Sequence, residues 1–406
     1  MKSPQTFTTI NHSQQCKEQT KMATKKTVKK AAAPAKKAAP KKAAPKKAAA
    51  PKKLRVAFIG CGGIFQTHMK AYEQIPEVEI VGFCDIKPER LEFVQKQYGA
   101  KPEICFEKWD DMFKAVKPDA VDVCTPNGVH MPAAVAAANA GCHVMVEKPM
   151  AMTPEECEKM IAAAKKNKVK LAVGFQHRYN SKTDYLMNAK ARGQFGNLMF
   201  VKCQALRRRG IPNWGVFGIK ELQGGGPLID IGVHVIEMAH YFMGSPKPVA
   251  ATGNCWTYLG DKPCNVMCDW PNWDYKTYTV EDLAIGHIRF DNGMIMQIES
   301  SFAAHLEKPL TWTFTAMGDK GGCTWDPLKI FADQDGAMVT VTPEHVTPDW
   351  DYDWIYLFKR KLQNWVDAIL KGTELRAPGE AGLMVQKILC GIYASAEQGG
   401  KEVDID

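Results

Sequence analysis

The chain has 406 residues, room for two domains and a substantial core, and its 45% hydrophobic content is that of a globular protein. Its formal net charge of +9 misleads: residues 1–53 hold 15 Lys and one acid, Glu18, a net of +14, so the rest carries 9 − 14 = −5. No apolar run approaches the roughly 18 residues of a membrane span, and residues 1–21 lack the apolar stretch of a secretory signal, so no membrane anchor and a cytoplasmic location are expected.

Lys25–Lys53 repeats Lys-Lys-Ala-Ala-Pro with small drifts. Frequent prolines block a continuous helix and the lysines repel one another, which predicts a solvated, extended arm. Its composition resembles the tails of histone H1. The arm either keeps the protein soluble or binds DNA, RNA or another polyanion weakly and without sequence preference. It has no aromatic residue between Met22 and Lys53, so only phosphate contacts are on offer. Deleting residues 1–53 is therefore expected to abolish a salt-sensitive affinity for duplex DNA and to leave turnover unchanged; titrations of both forms at two salt concentrations check this.

From Leu54 short apolar strands alternate with helical patterns. The strands are Leu54–Ile59, Glu79–Cys84, Glu103–Phe106, Ala120–Cys124, His143–Val146 and Lys170–Phe175; the helices are Gly63–Ile75, Pro88–Tyr98, Trp109–Val116, His130–Ala140 and Pro154–Asn167. This predicts a doubly wound α/β domain over residues 54–176, a parallel sheet with helices on both faces. The first strand breaks into Gly60, Gly62 and Gly63 and restarts as a helix through Ile64 and Phe65. Bare backbone N–H groups at a helix N-terminus seat a pyrophosphate. Phe65 replaces the third glycine of G-x-G-x-x-G, which also leaves open a glycine turn in some other α/β domain. Asp85 ends the second strand, where an acid takes ribose hydroxyls, an arrangement that favours NAD over NADP. Two further strand ends, Thr125-Pro126-Asn127-x-x-His130 and Glu147-Lys148-Pro149, fall on the same rim.

After Gln176 the pattern changes to longer strands: Leu198–Leu206, Val249–Tyr258, Glu281–Phe290, Met294–Phe302 and Thr311–Met317, preceded by a linking helix at Asp184–Gly193. Asp291-Asn292-Gly293 is a hairpin turn. Residues 177–406 are expected to form an α+β domain with a mostly antiparallel open sheet and amphipathic helices at Trp354–Lys371 and Glu380–Glu397. A buried helix runs from Pro227 to Phe242 and places Asp230 and His234 four apart on one face. Such a pair is either matched internally or faces a polar cleft.

The 13 cysteines are scattered, and Cys264-x-x-x-Cys268 with Cys255 lacks metal-ligand spacing, so reduced thiols and no metal are expected. Trp214, Arg178 and Arg207-Arg208-Arg209 are candidate borders of the pocket.

Taken together, Gly60-Cys61-Gly62-Gly63-Ile64, Thr125-Pro126-Asn127-x-x-His130, Glu147-Lys148-Pro149 and Asp230-x-Gly232-x-His234 resemble the Gfo/Idh/MocA oxidoreductases over Leu54 to about Glu397. The resemblance implies a Rossmann domain, an open sheet whose outer face builds a homo-oligomer (dimer or tetramer), and a cis Lys148–Pro149 peptide. It implies NAD held by the first three of these motifs and Asp85, with Lys148, Asp230 and His234 oxidising a secondary alcohol of a sugar, inositol or other polyol. His234 would accept the proton and Asp230 orient it, while Lys148 stabilises the developing oxyanion; Lys148 and His234 are also able to exchange roles. Two other activities are compatible with the motifs: an NAD-dependent glycoside hydrolase acting by transient oxidation, and a non-catalytic NAD-binding sensor tethered to nucleic acid.

Overall fold

The first half of the chain alternates strand and helix without a break: β1 (Leu54–Ile59), α1 (Gly63–Tyr72), β2 (Val78–Cys84), α2 (Pro88–Tyr98), β3 (Cys105–Phe106), α3 (Trp109–Val116), β4 (Ala120–Val123), α4 (Asn127–Asn139), β5 (His143–Val146), α5 (Pro154–Lys166) and β6 (Leu171–Val173). This is a computed structural model, and it describes residues 53–346 and 354–405. The basic arm and its polyanion role lie outside the described residues. The six strands pair in parallel in the order β3-β2-β1-β4-β5-β6. That is the doubly wound order, with the crevice between β1 and β4 as its switch point. Val56, Ala57 and Phe58 of β1 are fully buried, as a strand covered on both faces requires. β3 is shorter than expected, because Pro102–Ile104 forms a 3₁₀ turn in place of its first residues.

The second half contains α6 (Ser181–Ala191), β7 (Leu198–Arg207), α7 (Lys220–Gln223), α8 (Val233–Met243), β8 (Pro248–Trp256), β9 (Leu283–Phe290), β10 (Ile295–Ser301), β11 (Leu310–Gly318), β12 (Gly321–Thr324), β13 (Lys329–Gln334), β14 (Ala337–Val341), α9 (Trp354–Leu370), α10 (Gly379–Glu397) and β15 (Val403–Asp404). Its nine strands run β14-β13-β12-β11-β7-β10-β9-β8-β15. All neighbours are antiparallel except β7 and β10. The strands β12–β15 are absent from the sequence reading. The β13–β14 hairpin closes on Asp335-Gly336, both with positive φ (51° and 80°), a primed two-residue turn.

Two helices depart from expectation in more than their end residues. The helix from Pro227 is not continuous: Leu228–Gly232 forms one π turn before α8 begins. Its open N-terminal end is held by the buried Glu281, which accepts from Gly226 N (2.8 Å), Leu228 N (3.1 Å) and the Tyr393 hydroxyl (2.8 Å). The other is α9, which packs its Phe358, Leu362, Trp365 and Val366 into the core formed by β1, α1 and β2 of the six-stranded sheet. No helix among the described residues is long and apolar enough to cross a membrane.

Candidate active site

The loop between β1 and α1 is shaped for a phosphate. Gly60 has φ +91°, and a Cβ there would lie 2.7 Å from the Cys124 carbonyl, so only glycine lets the loop pass β4. Cβ atoms at Gly62 and Gly63 would meet nothing within 4 Å, which leaves space over the first turn of α1. That turn carries no acidic residue to compete for its free N–H groups. Ile64 is half-buried, and Phe65 is fully buried against Phe58, Phe83 and Tyr98, so Phe65 offers a ligand only backbone. Asp85 accepts from Cys61 N (2.8 Å) and Lys87 N (2.9 Å), which ties the end of β2 to the glycine loop. Thr125, past the end of β4, buries a hydroxyl that has no partner. An open helix turn, an acid at the β2 end and an unanswered hydroxyl fit a dinucleotide.

Other rim residues face inward. His130 is fully buried, with Nδ1 2.8 Å from the Pro149 carbonyl and Nε2 2.9 Å from that of Thr125, so it ties together the loops after β4 and β5. Burial holds its pKa below the ordinary value. Pro126 caps α4, and Asn127 donates to the Gln223 carbonyl (2.9 Å).

Glu147 is part of a buried network that the sequence did not reveal. Its Oε1 accepts from Lys361 Nζ of α9 (2.6 Å) and His68 Nε2 of α1 (2.9 Å), and its Oε2 accepts from Lys148 N (3.1 Å). The other His68 nitrogen donates to Asp122 (2.7 Å), which also accepts from the Tyr72 hydroxyl (3.0 Å). Burial opposes both charges, yet Lys361 and His68 hold the Glu147 pKa well below the usual range, and Asp122 and Glu147 raise that of His68. Two carboxylates, an ammonium and an imidazolium balance. His68, Asp122 and buried Cys124 lie close together, and every described cysteine is a free thiol.

The next residue, Lys148, precedes a cis Pro149, as the resemblance implied. Its Nζ donates to Asp230 Oδ1 (2.8 Å) and to the Asp230 carbonyl (2.9 Å). Asp230 therefore belongs to Lys148; among the described residues no hydrogen bond joins it to His234. The expectation was that Asp230 orients His234; in the structure its carboxylate is instead bonded to Lys148. His234 is 6% exposed and its Nδ1 is unpartnered. Burial, then the charge of Lys148, pushes its pKa well below the ordinary value, so the ring rests neutral. Its ring lies against His177 (centroids 5.2 Å apart) and Trp312 (5.5 Å). On another side, Arg207 senses the charge of Asp230 and stacks on Trp270 (4.9 Å), which meets the half-exposed Trp214. Arg178 does not border this space; it is buried and paired with Glu237 (2.7 Å). Arg208 is exposed.

Two family models cover the chain: the NAD-binding Rossmann fold of an oxidoreductase family over residues 54–175 and that family's C-terminal alpha/beta domain over residues 191–405. D-glucoside 3-dehydrogenase of Escherichia coli (strain K12) is 36% identical over 351 residues, 85% of this chain and 96% of that protein. Myo-inositol 2-dehydrogenase of Thermotoga maritima is 26% identical over 82% of this chain and 92% of that protein. A levoglucosan dehydrogenase solved with NADH shares the fold at TM-score 0.75 and 24% identity, covering 87% of this chain and all of that one. With its six-stranded sheet in doubly wound order and both family domains matched in sequence, this chain is an enzyme of the Gfo/Idh/MocA oxidoreductase family with a nicotinamide-binding Rossmann domain.

Proposed function

We propose that the protein is an NAD-dependent dehydrogenase that oxidises a secondary ring hydroxyl of a sugar or polyol, with a D-glucoside oxidised at C3 as the first case. The observation that carries this reading is the pairing of Lys148 with Asp230 beside a neutral, unbonded His234. Lys148 has three N–H groups, and Asp230 occupies two, which leaves one to donate to the carbinol oxygen as charge develops on it. His234, with a free lone pair, accepts the hydroxyl proton. A nicotinamide cofactor on the glycine loop supplies the hydride acceptor. The loop N–H groups of α1 and the hydroxyl of Thr125 would hold its phosphates and Asp85 its ribose. The identity to D-glucoside 3-dehydrogenase supports the substrate class. The test is a panel of hexosides, free hexoses and inositols with NAD, followed both for NADH and for glycoside cleavage. NADH formation with an intact glycosidic bond is expected. Cleavage without net NADH would assign a hydrolase instead.

Asp85 favours a ribose hydroxyl over a phosphate, although Lys87 and Arg90 stand near it in sequence. NAD is expected to bind on the order of tenfold or more tightly than NADP. Dissociation constants for the two decide it, and tighter binding of NADP would overturn the preference.

A homo-oligomer is part of the same reading. Phe200, Ile295 and Met317 align across β7, β10 and β11 on the face of the nine-stranded sheet opposite buried Val201, Met296 and Ala316. Met317 is half exposed, and this apolar row supports association through that face.

A further inference from the structure

His177 lies in the short turn Gln176–Tyr179 that leads out of β6. It is 7% exposed, and its Nδ1, like that of His234, is buried without a partner. Trp312 Nε1 of β11 is a third buried polar atom without a partner, on a ring 5.7 Å from His177 and 5.5 Å from His234. Unanswered polar atoms are rare in protein interiors because each forfeits its hydration. Three of them on mutually touching rings beside Lys148 point to a ligand that answers them. Trp325 and Trp354 complete the surround, 6.0 and 6.2 Å from His177, and Trp354 is exposed. A sugar ring has the matching chemistry: hydroxyls for the nitrogens and apolar C–H faces for the indoles.

We propose that His177 is a substrate-binding residue that hydrogen-bonds the hydroxyl adjacent to the one oxidised, so that the enzyme selects ring substrates carrying a vicinal diol. The proposal rests on the dehydrogenase reading above. Lys148 and His234 place the reacting hydroxyl, and His177, edge to face with His234, stands one hydroxyl away. Burial, then the charge of Lys148, pushes the His177 pKa down to about 4, so at neutral pH the ring offers one N–H and one lone pair to a group that both accepts and donates.

The test uses methyl β-D-glucopyranoside and its 2-deoxy and 4-deoxy congeners, which lack in turn each neighbour of the C3 hydroxyl. Binding to the enzyme–NADH complex is measured by calorimetry, and oxidation with NAD is measured separately. The wild type is expected to bind one deoxy congener about tenfold or more weakly than the parent, the size of one buried hydrogen bond. His177→Phe should lose that factor on the parent and lose nothing further on the same congener. His177→Asn, which keeps a donor and an acceptor, should recover part of it and controls for a misfolded Phe variant. Equal weakening of all three sugars by both variants, no weakening by either, or no binding of any of these sugars by the wild type would overturn the proposal. The expected binding pattern without NADH formation would leave His177 in place and remove the dehydrogenase reading.

Discussion

Replacing Lys148 by Ala is expected to lower turnover by about 10²–10⁴-fold while leaving nicotinamide cofactor binding largely intact. In the proposed mechanism the third N–H of Lys148 would donate to the developing oxyanion, while its other two bonds hold it on Asp230. Among the described residues none of its hydrogen bonds reaches the glycine loop, which is why cofactor affinity should survive. His234→Ala should cost a similar factor by removing the proposed proton acceptor, and the pH profile separates the two roles. A base must be unprotonated to act, so kcat/KM rises with pH through its pKa; burial and Lys148 place that limb below pH 6.5. The wild type should therefore be flat just above pH 6.5, and the acid limb should vanish in His234→Ala. Near wild-type turnover by either variant on the true substrate would refute the mechanism.

Replacing Lys361 by Met is expected to destabilise the fold by about 3–5 kcal/mol, the usual consequence of leaving one member of a buried ion pair uncompensated. Lys361 is 1% exposed, and its ammonium sits 2.6 Å from Glu147 beneath Lys148. Denaturant unfolding of the two forms checks the figure. Adding Glu147→Gln to the Met variant should cost less than the two single changes summed, since both charges then leave together. The network also has a pH signature. Glu147 has a depressed pKa, so its contribution is complete above the ordinary value of 4.5 and fades as pH falls toward its folded pKa. His68 has a raised pKa, so its contribution is complete below 6.5 and fades as pH rises through its folded value. The stability difference between wild type and a His68→Gln variant should be largest between pH 4.5 and 6.5. A difference independent of pH would mean that His68 is not charged in the folded protein.

The six-stranded sheet was legible because its information is local. Each strand is a short apolar run, each helix has its own period, and the glycines sit where β1 turns into α1. The ends of α2 and α3 were read without error for the same reason. Lys148, Asp230 and His234 were legible as candidates, since motifs hold their spacing along the chain. What the motifs did not carry was pairing. That Asp230 answers Lys148 and not His234 is a contact across 82 residues of sequence. Glu147 and His130 stand in cofactor motifs, yet their side chains tie the fold together beneath the site. β13 and β14 went unread because they are largely exposed and lack an apolar alternation, leaving only the Asp335-Gly336 turn as a signal. Lys361 reads as an ordinary lysine on an amphipathic helix until α9 lays it against His68, 293 residues away. His177 reads as one more histidine until β11, α8 and α9 close around it. Periodicity and turn chemistry act over a few residues and determined the elements; which buried charges and imidazoles meet is a property of chain segments hundreds of residues apart, and packing alone decided it.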